Sequence, residues 1–491
     1  MATILLINLP RQDAERAPAV IAGLAGICKS VYTDYDVVDL NLSIIKALSA
    51  DHWRELQNYL SYSTNTCSDD IIQSFKSLIK DVLPRTNYKV LAVSLFTYET
   101  VRASKIVLPI LREIYPKSKI VIGGHGTDFF DTDVNKIFYQ HALDLNLIDA
   151  YVLGEGEEQL VQYLKNPDGW INSDTKWKVN NLNTIPFACY DKILPKTYLH
   201  TGVLGTYITG SRGCVRDCSF CDVNHIWGKF RFRKADSIFE EILEHHLKYR
   251  VTFIEFTDNL INGSLSEFKK LNELLVSAQQ KYPSLKSLKY RGNFICRPKD
   301  QFDEKDWQLM SQAGGTDMVV GIESFSESIR YHMGKKFDNT DVDFHLYASG
   351  KYGVSNTLLM QVGYPTETLE DHNINIIHLH KYQKYALTKV IKMIRWGYTT
   401  SILPGSPLDT KYRNLLPLAE EESDSAYGSH SWLNLNNQSL TLEERLRRRL
   451  ELHYVSKKLL YNQPRVHDEF LRIIYILKKS KLKSTFLINN V

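Results

Sequence analysis

The chain has 491 residues, of which 43% are hydrophobic and 24% charged, and its net charge is +4. That length suffices for two or three domains, each with its own buried core, and so small a charge gives no ground for a polyanionic partner. Seven cysteines, an odd number scattered except for one triplet, argue against a secreted disulfide framework. The opening "MATILLINLP" lacks a basic n-region and no apolar run reaches membrane-span length, so the expectation is a protein of the reducing cytoplasm with no membrane partner.

Residues 1–165 alternate short β-branched runs with amphipathic stretches. "TILLIN" (3–8), "DVVDLN" (36–41), "VLAVSLF" (90–96), "KIVIGG" (119–124) and "DAYVLG" (149–154) read as buried parallel strands. "AVIAGLAGICKS" and "SDDIIQSFKSLIKDVL" read as helices between them. The alternation predicts a doubly wound, Rossmann-like α/β domain with ligands beyond the carboxyl ends of its strands. Those ends carry Pro10, Thr97, "GGHGTD" (123–128) and "GEGEE" (154–158), where glycines either admit a ligand to the backbone or simply make tight turns. Residues 166–200, with "NPDGW" and "TIPFACYDKILPK", are turn-rich and read as a linker.

A second alternation occupies residues 201–410. "GTYITG" (205–210), "VTFIEFTD" (251–258), "SLKYRGNF" (287–294), "DMVVGIES" (317–324), "NTLLMQVGYP" (356–365) and "KVIKMIRWGYTTSILPG" (389–405) are six strand candidates separated by helical stretches such as "DSIFEEILEHHLKY". Six β/α units predict a partial (β/α)6 TIM-type barrel with its site at the carboxyl ends of the strands. Residues 411–491 read as a helical C-terminal region. "LTLEERLRRRLELHYVSKKLLY" opens with Thr441 and Glu444 in capping-box spacing and reads as a charged amphipathic helix, and "DEFLRIIYILKKSKLK" reads as a further helix. Arg445, Arg447, Arg448 and Arg449 read as a solvated helix face with a salt-bridged rim, with phosphate contact as the alternative.

"GSRGCVRDCSFCDV" (210–223) follows the first barrel strand and places Cys214, Cys218 and Cys221 at C-x3-C-x2-C spacing. Three chemistries suit that spacing. Positions i, i+4 and i+7 share a helix face, so the cysteines can be core residues, although the interleaved Arg216, Asp217 and Ser219 are polar. With His225 they can form a Cys3His zinc site. As three thiolates they can hold an iron–sulfur cluster that keeps one iron without a protein ligand.

The third arrangement resembles the radical S-adenosylmethionine superfamily, whose motif is C-x3-C-x-aromatic-C, here with Phe220 at the aromatic position. The resemblance implies a [4Fe-4S] cluster on Cys214, Cys218 and Cys221 as the catalytic and metal-binding centre. Its open iron would chelate S-adenosylmethionine, and reductive cleavage would yield a 5′-deoxyadenosyl radical. Further segments resemble the family in order: "FTDN" with Asp258, "GIES" with Glu323 and Ser324, "VGYPTET" (362–368) and "LPGSPLD" (403–409). The resemblance implies cofactor contacts for Phe220, Asp258, Glu323 and Ser324, with Glu323 at the ribose hydroxyls.

The N-terminal half resembles the cobalamin (B12)-binding branch of that superfamily. "GGHGTD" and "GEGEE" resemble its corresponding loops, which implies corrin-facing roles for Thr97, Gly123, Gly124, His125, Gly154, Glu155 and Gly156. The chain lacks D-x-H-x-x-G, whose histidine ligates cobalt in cobalamin-dependent mutases. The branch implies C-methylation of a small-molecule or peptide substrate, supplied with electrons by a donor such as flavodoxin or ferredoxin. Non-methylating rearrangement or cyclisation, and modification of a nucleic acid, are the alternatives. A nucleic-acid partner is not expected, since the C-terminal region shows no β-barrel pattern of an RNA-binding module. Tyr98, Trp227, Tyr290, Arg291, Arg297, Trp396 and Tyr398 are candidates for the substrate mouth, and Cys296 reads as a buried structural cysteine.

Overall fold

The computed structural model describes residues 3–10, 16–31, 33–61, 67–131, 134–198, 203–417 and 432–463. The chain divides into two compact units, residues 1–210 with 231–257 and residues 211–230 with 258–491. Both are α/β with parallel strands.

In the first unit the strands β1 (Ile4–Asn8), β2 (Tyr35–Asp39), β3 (Val90–Ser94), β4 (Lys119–Gly123), β5 (Ala150–Gly154) and β6 (Lys176–Trp177) lie in the order β2-β1-β3-β4-β5-β6. Every pairing in it is parallel. A parallel sheet is covered on both faces, and β1 shows why its sequence is continuously apolar. Leu5 and Ile7 enter one hydrophobic core with Phe75 and Leu108, while Ile4 and Leu6 enter another with Ile21 and Tyr190. The strand expected at 36–41 stops at Asp39, because the Asp39 carboxylate accepts from Leu42 N at 3.2 Å and starts the helix Leu40–Ala47. The helix Ala50–Ser61 follows it. The first unit also holds the parallel pair β7 (Gly205–Ile208) and β8 (Phe253–Phe256), with the helix Ala235–Tyr249 between them in sequence.

In the second unit β9 (Lys289–Phe294), β10 (Gly315–Glu323), β11 (Ser355–Val362) and β12 (Ile391–Thr399) pair in parallel, each with the next. Helices Leu265–Lys281, Glu304–Gln312, Asn339–Lys351 and Leu369–Leu387 alternate with them. The register of β10 against β11 shifts between Gly321 and Glu323, and Glu323 itself has φ +68°. A left-handed backbone at a non-glycine residue is held only where its surroundings over-determine it.

The helix Leu442–Lys458 begins as the capping pattern predicts, with the Thr441 hydroxyl accepting from Glu444 N at 3.2 Å. Its arginines correct the expectation of a solvated face: Arg445, Arg448 and Arg449 are buried. Each has a fixed acceptor or ring. Arg445 lies 3.7 Å from the centre of the Trp432 ring, Arg448 donates to Glu367 Oε1 at 3.0 Å, and Arg449 donates to Gly397 O at 2.7 Å. Arg447 alone keeps a rim position, paired with Glu444 and Glu451 and 33% exposed. The second C-terminal helix expected from "DEFLRIIYILKKSKLK" lies outside the described residues. Among those residues no helix is long and apolar enough to cross a membrane.

Candidate functional site

The loop bearing Cys214, Cys218 and Cys221 starts at Gly213, whose φ of +82° requires glycine; a Cβ there would also lie 3.1 Å from Gly228 O. All three thiols are free. Arg216 N donates to Cys214 Sγ at 3.4 Å, and Cys221 N donates to Cys218 O at 3.0 Å. Ser219, inside the triplet, ties the loop to three other segments. Its N–H donates to Met333 O at 3.0 Å, its carbonyl accepts from Leu408 N at 2.7 Å, and its hydroxyl shares a 2.7 Å hydrogen bond with Tyr364. Phe220 packs against the core of Ile329, Met333, Tyr364, Ile402 and Leu408. The loop is therefore shaped by the protein itself.

Burial pushes the Cys218 thiol up and the Cys221 thiol up to about 12. Thiolates there need a metal centre or cations to offset desolvation. The Lys335 ammonium opposes burial at Cys218, and burial with the neighbouring Arg216 charge brings Arg297 down to about 10 beside Cys214. Free thiols on a tied loop, an N–H directed at sulfur and nearby cations fit an iron–sulfur cluster, whose thiolates are spread over separate irons. A single-ion site is not what the loop offers. Among the described residues no three His, Cys, Asp or Glu side chains gather around one point. His225, the fourth ligand of the zinc alternative, packs on Gly405, where a Cβ would fall 2.4 Å from its ring Cγ.

Glu323 ends β10 with its carboxylate 3.1 Å from Lys335 Nζ. Ser324 is buried and donates to Asn375 Oδ1 at 3.3 Å, within a polar network that includes Ser326 and Asp371. Asp258 is buried directly after β8 in sequence, and its carbonyl accepts from Asn293 Nδ2 at 2.8 Å. In the "VGYPTET" turn Gly363 N donates to Glu367 Oε2 at 2.9 Å. Of the substrate-mouth candidates, Tyr290 and Trp396 are buried, the Trp396 indole donating to Ser456 Oγ at 2.9 Å. Cys296 is buried as the sequence suggests. Lys335 is a residue that the sequence did not single out, and Arg448 was read there as a surface residue. Lys335 had a local signal, the glycine before it that ends a helix.

In the first unit the strand-end glycines answer to close backbone approaches. Gly124 (φ +107°) would place a Cβ 2.4 Å from Leu95 O, and Gly154 (φ +79°) would place one 2.4 Å from Trp177 O. Gly123 ends β4, His125 opens a 3-10 turn with its ring 5.1 Å from that of Phe129, and Gly156 precedes the helix Glu157–Lys165. Thr97 caps the helix Tyr98–Ile114, its hydroxyl accepting from Thr100 N at 3.4 Å. Glu155 is buried, accepts from Val179 N at 3.0 Å and pairs with Arg231. The carboxyl ends of β4 and β5 thus turn on glycines packed against the backbone of Leu95 and Trp177.

Residues 208–374 match the model of the Radical SAM superfamily. The chain is 24% identical over 390 residues to "Uncharacterized methyltransferase PH0819" of Pyrococcus horikoshii, covering 75% of each. It is 22% identical over 326 residues to cytidylyl-2-hydroxyethylphosphonate methyltransferase of Streptomyces wedmorensis, covering 57% of this chain and 56% of that one. The chain therefore spans three quarters of the first relative and little more than half of the second. Among solved structures it resembles the radical S-adenosylmethionine methyltransferase TsrM of Kitasatospora setae, with tryptophan and a SAM analogue bound, at TM-score 0.65 and 13% identity over 96% of this chain and 99% of that one. It also resembles the cobalamin-dependent S-adenosylmethionine radical enzyme OxsB, with aqua-cobalamin and S-adenosylmethionine bound, at TM-score 0.63 and 14% identity over 93% and 67%. At such identities the likeness is one of fold.

Proposed function

We propose that this chain is a radical SAM enzyme and that it methylates carbon on a small-molecule or peptide substrate with the help of cobalamin. The observation that carries the reading is the loop of three free thiols tied through Ser219 to the Met333 and Leu408 segments. Cys214, Cys218 and Cys221 would hold a [4Fe-4S] cluster. When bound, that cluster would supply the electron for cleavage of S-adenosylmethionine, and cobalamin would carry the transferred methyl group.

The chain's own residues bind, orient and exclude water. Glu323, held by Lys335, would accept from ribose hydroxyls, and Asp258 would meet the amino group or the substrate. Phe220 closes the loop against its apolar core. We read β7–β12 as the strands of a partial (β/α)6 barrel and residues 1–165 as a Rossmann-like cobalamin-binding domain. There the glycine turns at Gly123–His125 and Gly154–Gly156, with Thr97, would approach the corrin without a cobalt-ligating histidine from D-x-H-x-x-G. The order β2-β1-β3-β4-β5 supports this, since it reverses direction between β1 and β3, where open α/β sheets bind ligands. Burial of Arg445, Arg448 and Arg449 disfavours the nucleic-acid alternative, because these guanidinium groups already have partners inside the fold.

The test is an anaerobic incubation of the reconstituted chain with reductant, S-adenosylmethionine and hydroxocobalamin. Mass spectrometry should find 5′-deoxyadenosine and S-adenosylhomocysteine together, and alanine at any of Cys214, Cys218 or Cys221 should abolish both and the bound iron. 5′-Deoxyadenosine alone would replace methylation by rearrangement or cyclisation. Full S-adenosylmethionine cleavage by a cysteine variant would remove the cluster assignment.

A further inference from the structure

The helix Glu327–His332 ends at Gly334, whose φ of +79° closes a Schellman turn: Lys335 N donates to Arg330 O and Gly334 N to Tyr331 O, both at 2.9 Å. The last carbonyls of that helix meet the cysteine loop. Met333 O accepts from Ser219 N at 3.0 Å, and His332 O accepts from the Ser219 hydroxyl at 3.4 Å. A Cβ on Gly334 would lie 3.2 Å from Asp217 O, so the turn is laid directly against the loop.

The residue delivered by this turn is Lys335. Its ammonium donates to Gly321 O at 2.9 Å and to Glu323 Oε1 at 3.1 Å, and lies 5.7 Å from the centre of the Phe220 ring. The side chain is only 8% exposed. A Cβ at Gly321 would fall 2.6 Å from Glu323 Oε1 and 3.1 Å from Lys335 Nζ, so the strand keeps a glycine where the ion pair sits. The same Gly334 Cβ position lies 3.8 Å from Cys218 Cα, and Phe220, under the ammonium, sits between Cys218 and Cys221, so the ion pair stands next to the cysteine loop.

Reducing a cluster adds one electron and no proton to the site. A buried cation nearby stabilises the added charge and a buried anion opposes it, more strongly than in water. We propose that Lys335 and Glu323 form a charge pair that sets the reduction potential of the cluster held by Cys214, Cys218 and Cys221, Lys335 raising it and Glu323 lowering it. This rests on the cluster assignment above. It makes Lys335 a positioning residue with an electrostatic consequence, since the same ammonium orients the Glu323 carboxylate.

The test is an anaerobic redox titration of the reconstituted full chain without S-adenosylmethionine, followed by electron paramagnetic resonance of the reduced cluster, with iron and sulfide counted alongside. Lys335→Met should make one-electron reduction at least tenfold less favourable, a midpoint at least 59 mV more negative. Lys335→Arg should stay inside that interval, and Glu323→Gln should move the midpoint to more positive values. Opposite signs distinguish electrostatics from support of the fold, which would move both variants alike. Midpoints unchanged in Lys335→Met and Glu323→Gln, or shifted in the same direction, would overturn the inference while leaving the cluster in place. If Lys335→Met binds no cluster, the sign in Glu323→Gln decides. A wild-type chain that assembles no cluster would overturn the assignment and the inference with it.

Discussion

Gly321 lies two residues before Glu323 in the "GIES" segment, and its missing side chain leaves the space that the Glu323–Lys335 pair fills. Gly321→Ala should displace that pair, cost about 1–3 kcal/mol of unfolding free energy as other overpacked sites do, and weaken S-adenosylmethionine binding. Urea denaturation and equilibrium binding check both, and an unchanged urea midpoint would show that the pair moves aside freely. The cysteine spacing and the "GIES" segment were legible in the sequence because their chemistry is local. Lys335 was not, because nothing in "HMGKKFD" says which acid its ammonium will meet. Nor was the fate of His225, whose spacing suits zinc while its ring packs on Gly405, 180 residues further along the chain.

Among the elements, the helix Leu442–Lys458 shows how pattern and burial part company. Its start was readable from Thr441 and Glu444, and it ends at Lys458, three residues short of the end of the amphipathic run. Its environment was misread, since clustered arginines ordinarily mark a wet surface. Here Arg448 reaches Glu367, 81 residues earlier in the chain, and the other oxygen of that carboxylate accepts from Gly363 N at 2.9 Å. The helix thereby steadies the turn after β11. Burial pushes the Glu367 carboxyl up, and Arg448 opposes that. Arg448→Met should therefore cost about 3–5 kcal/mol by stranding a buried carboxylate. Adding Glu367→Gln should return part of that loss, because a neutral amide is cheaper to bury than an unpaired charge. Urea midpoints of the single and double variants measure the coupling.

For the whole molecule, acid should be destabilising. Burial holds His345 and His453 down to about 4 from an ordinary 6.5, with Arg449 adding to the effect at His453. Both are neutral in the fold, and the unfolded chain takes up their protons once the pH falls below about 6.5. Unfolding free energy should thus decrease as the pH drops from 6.5 towards 4, by up to about 1.4 kcal/mol per pH unit for each histidine. Urea denaturation at several pH values measures the slope. His345→Gln should flatten it by about one proton's worth; an undiminished slope would mean that His345 already carries its proton in the fold.

The sequence by itself determined the alternation of strands and helices, the position of the three cysteines and the start of the helix at Leu442. These follow from hydrogen bonds and side-chain periodicity that repeat over a few residues. The tertiary structure alone decided that three C-terminal arginines are buried, and that Lys335 faces Glu323 beside the cysteine loop. A buried charge is tolerated only where an opposite charge or an acceptor shares its dry site, and which distant residue supplies it is settled by the packing of the chain as a whole.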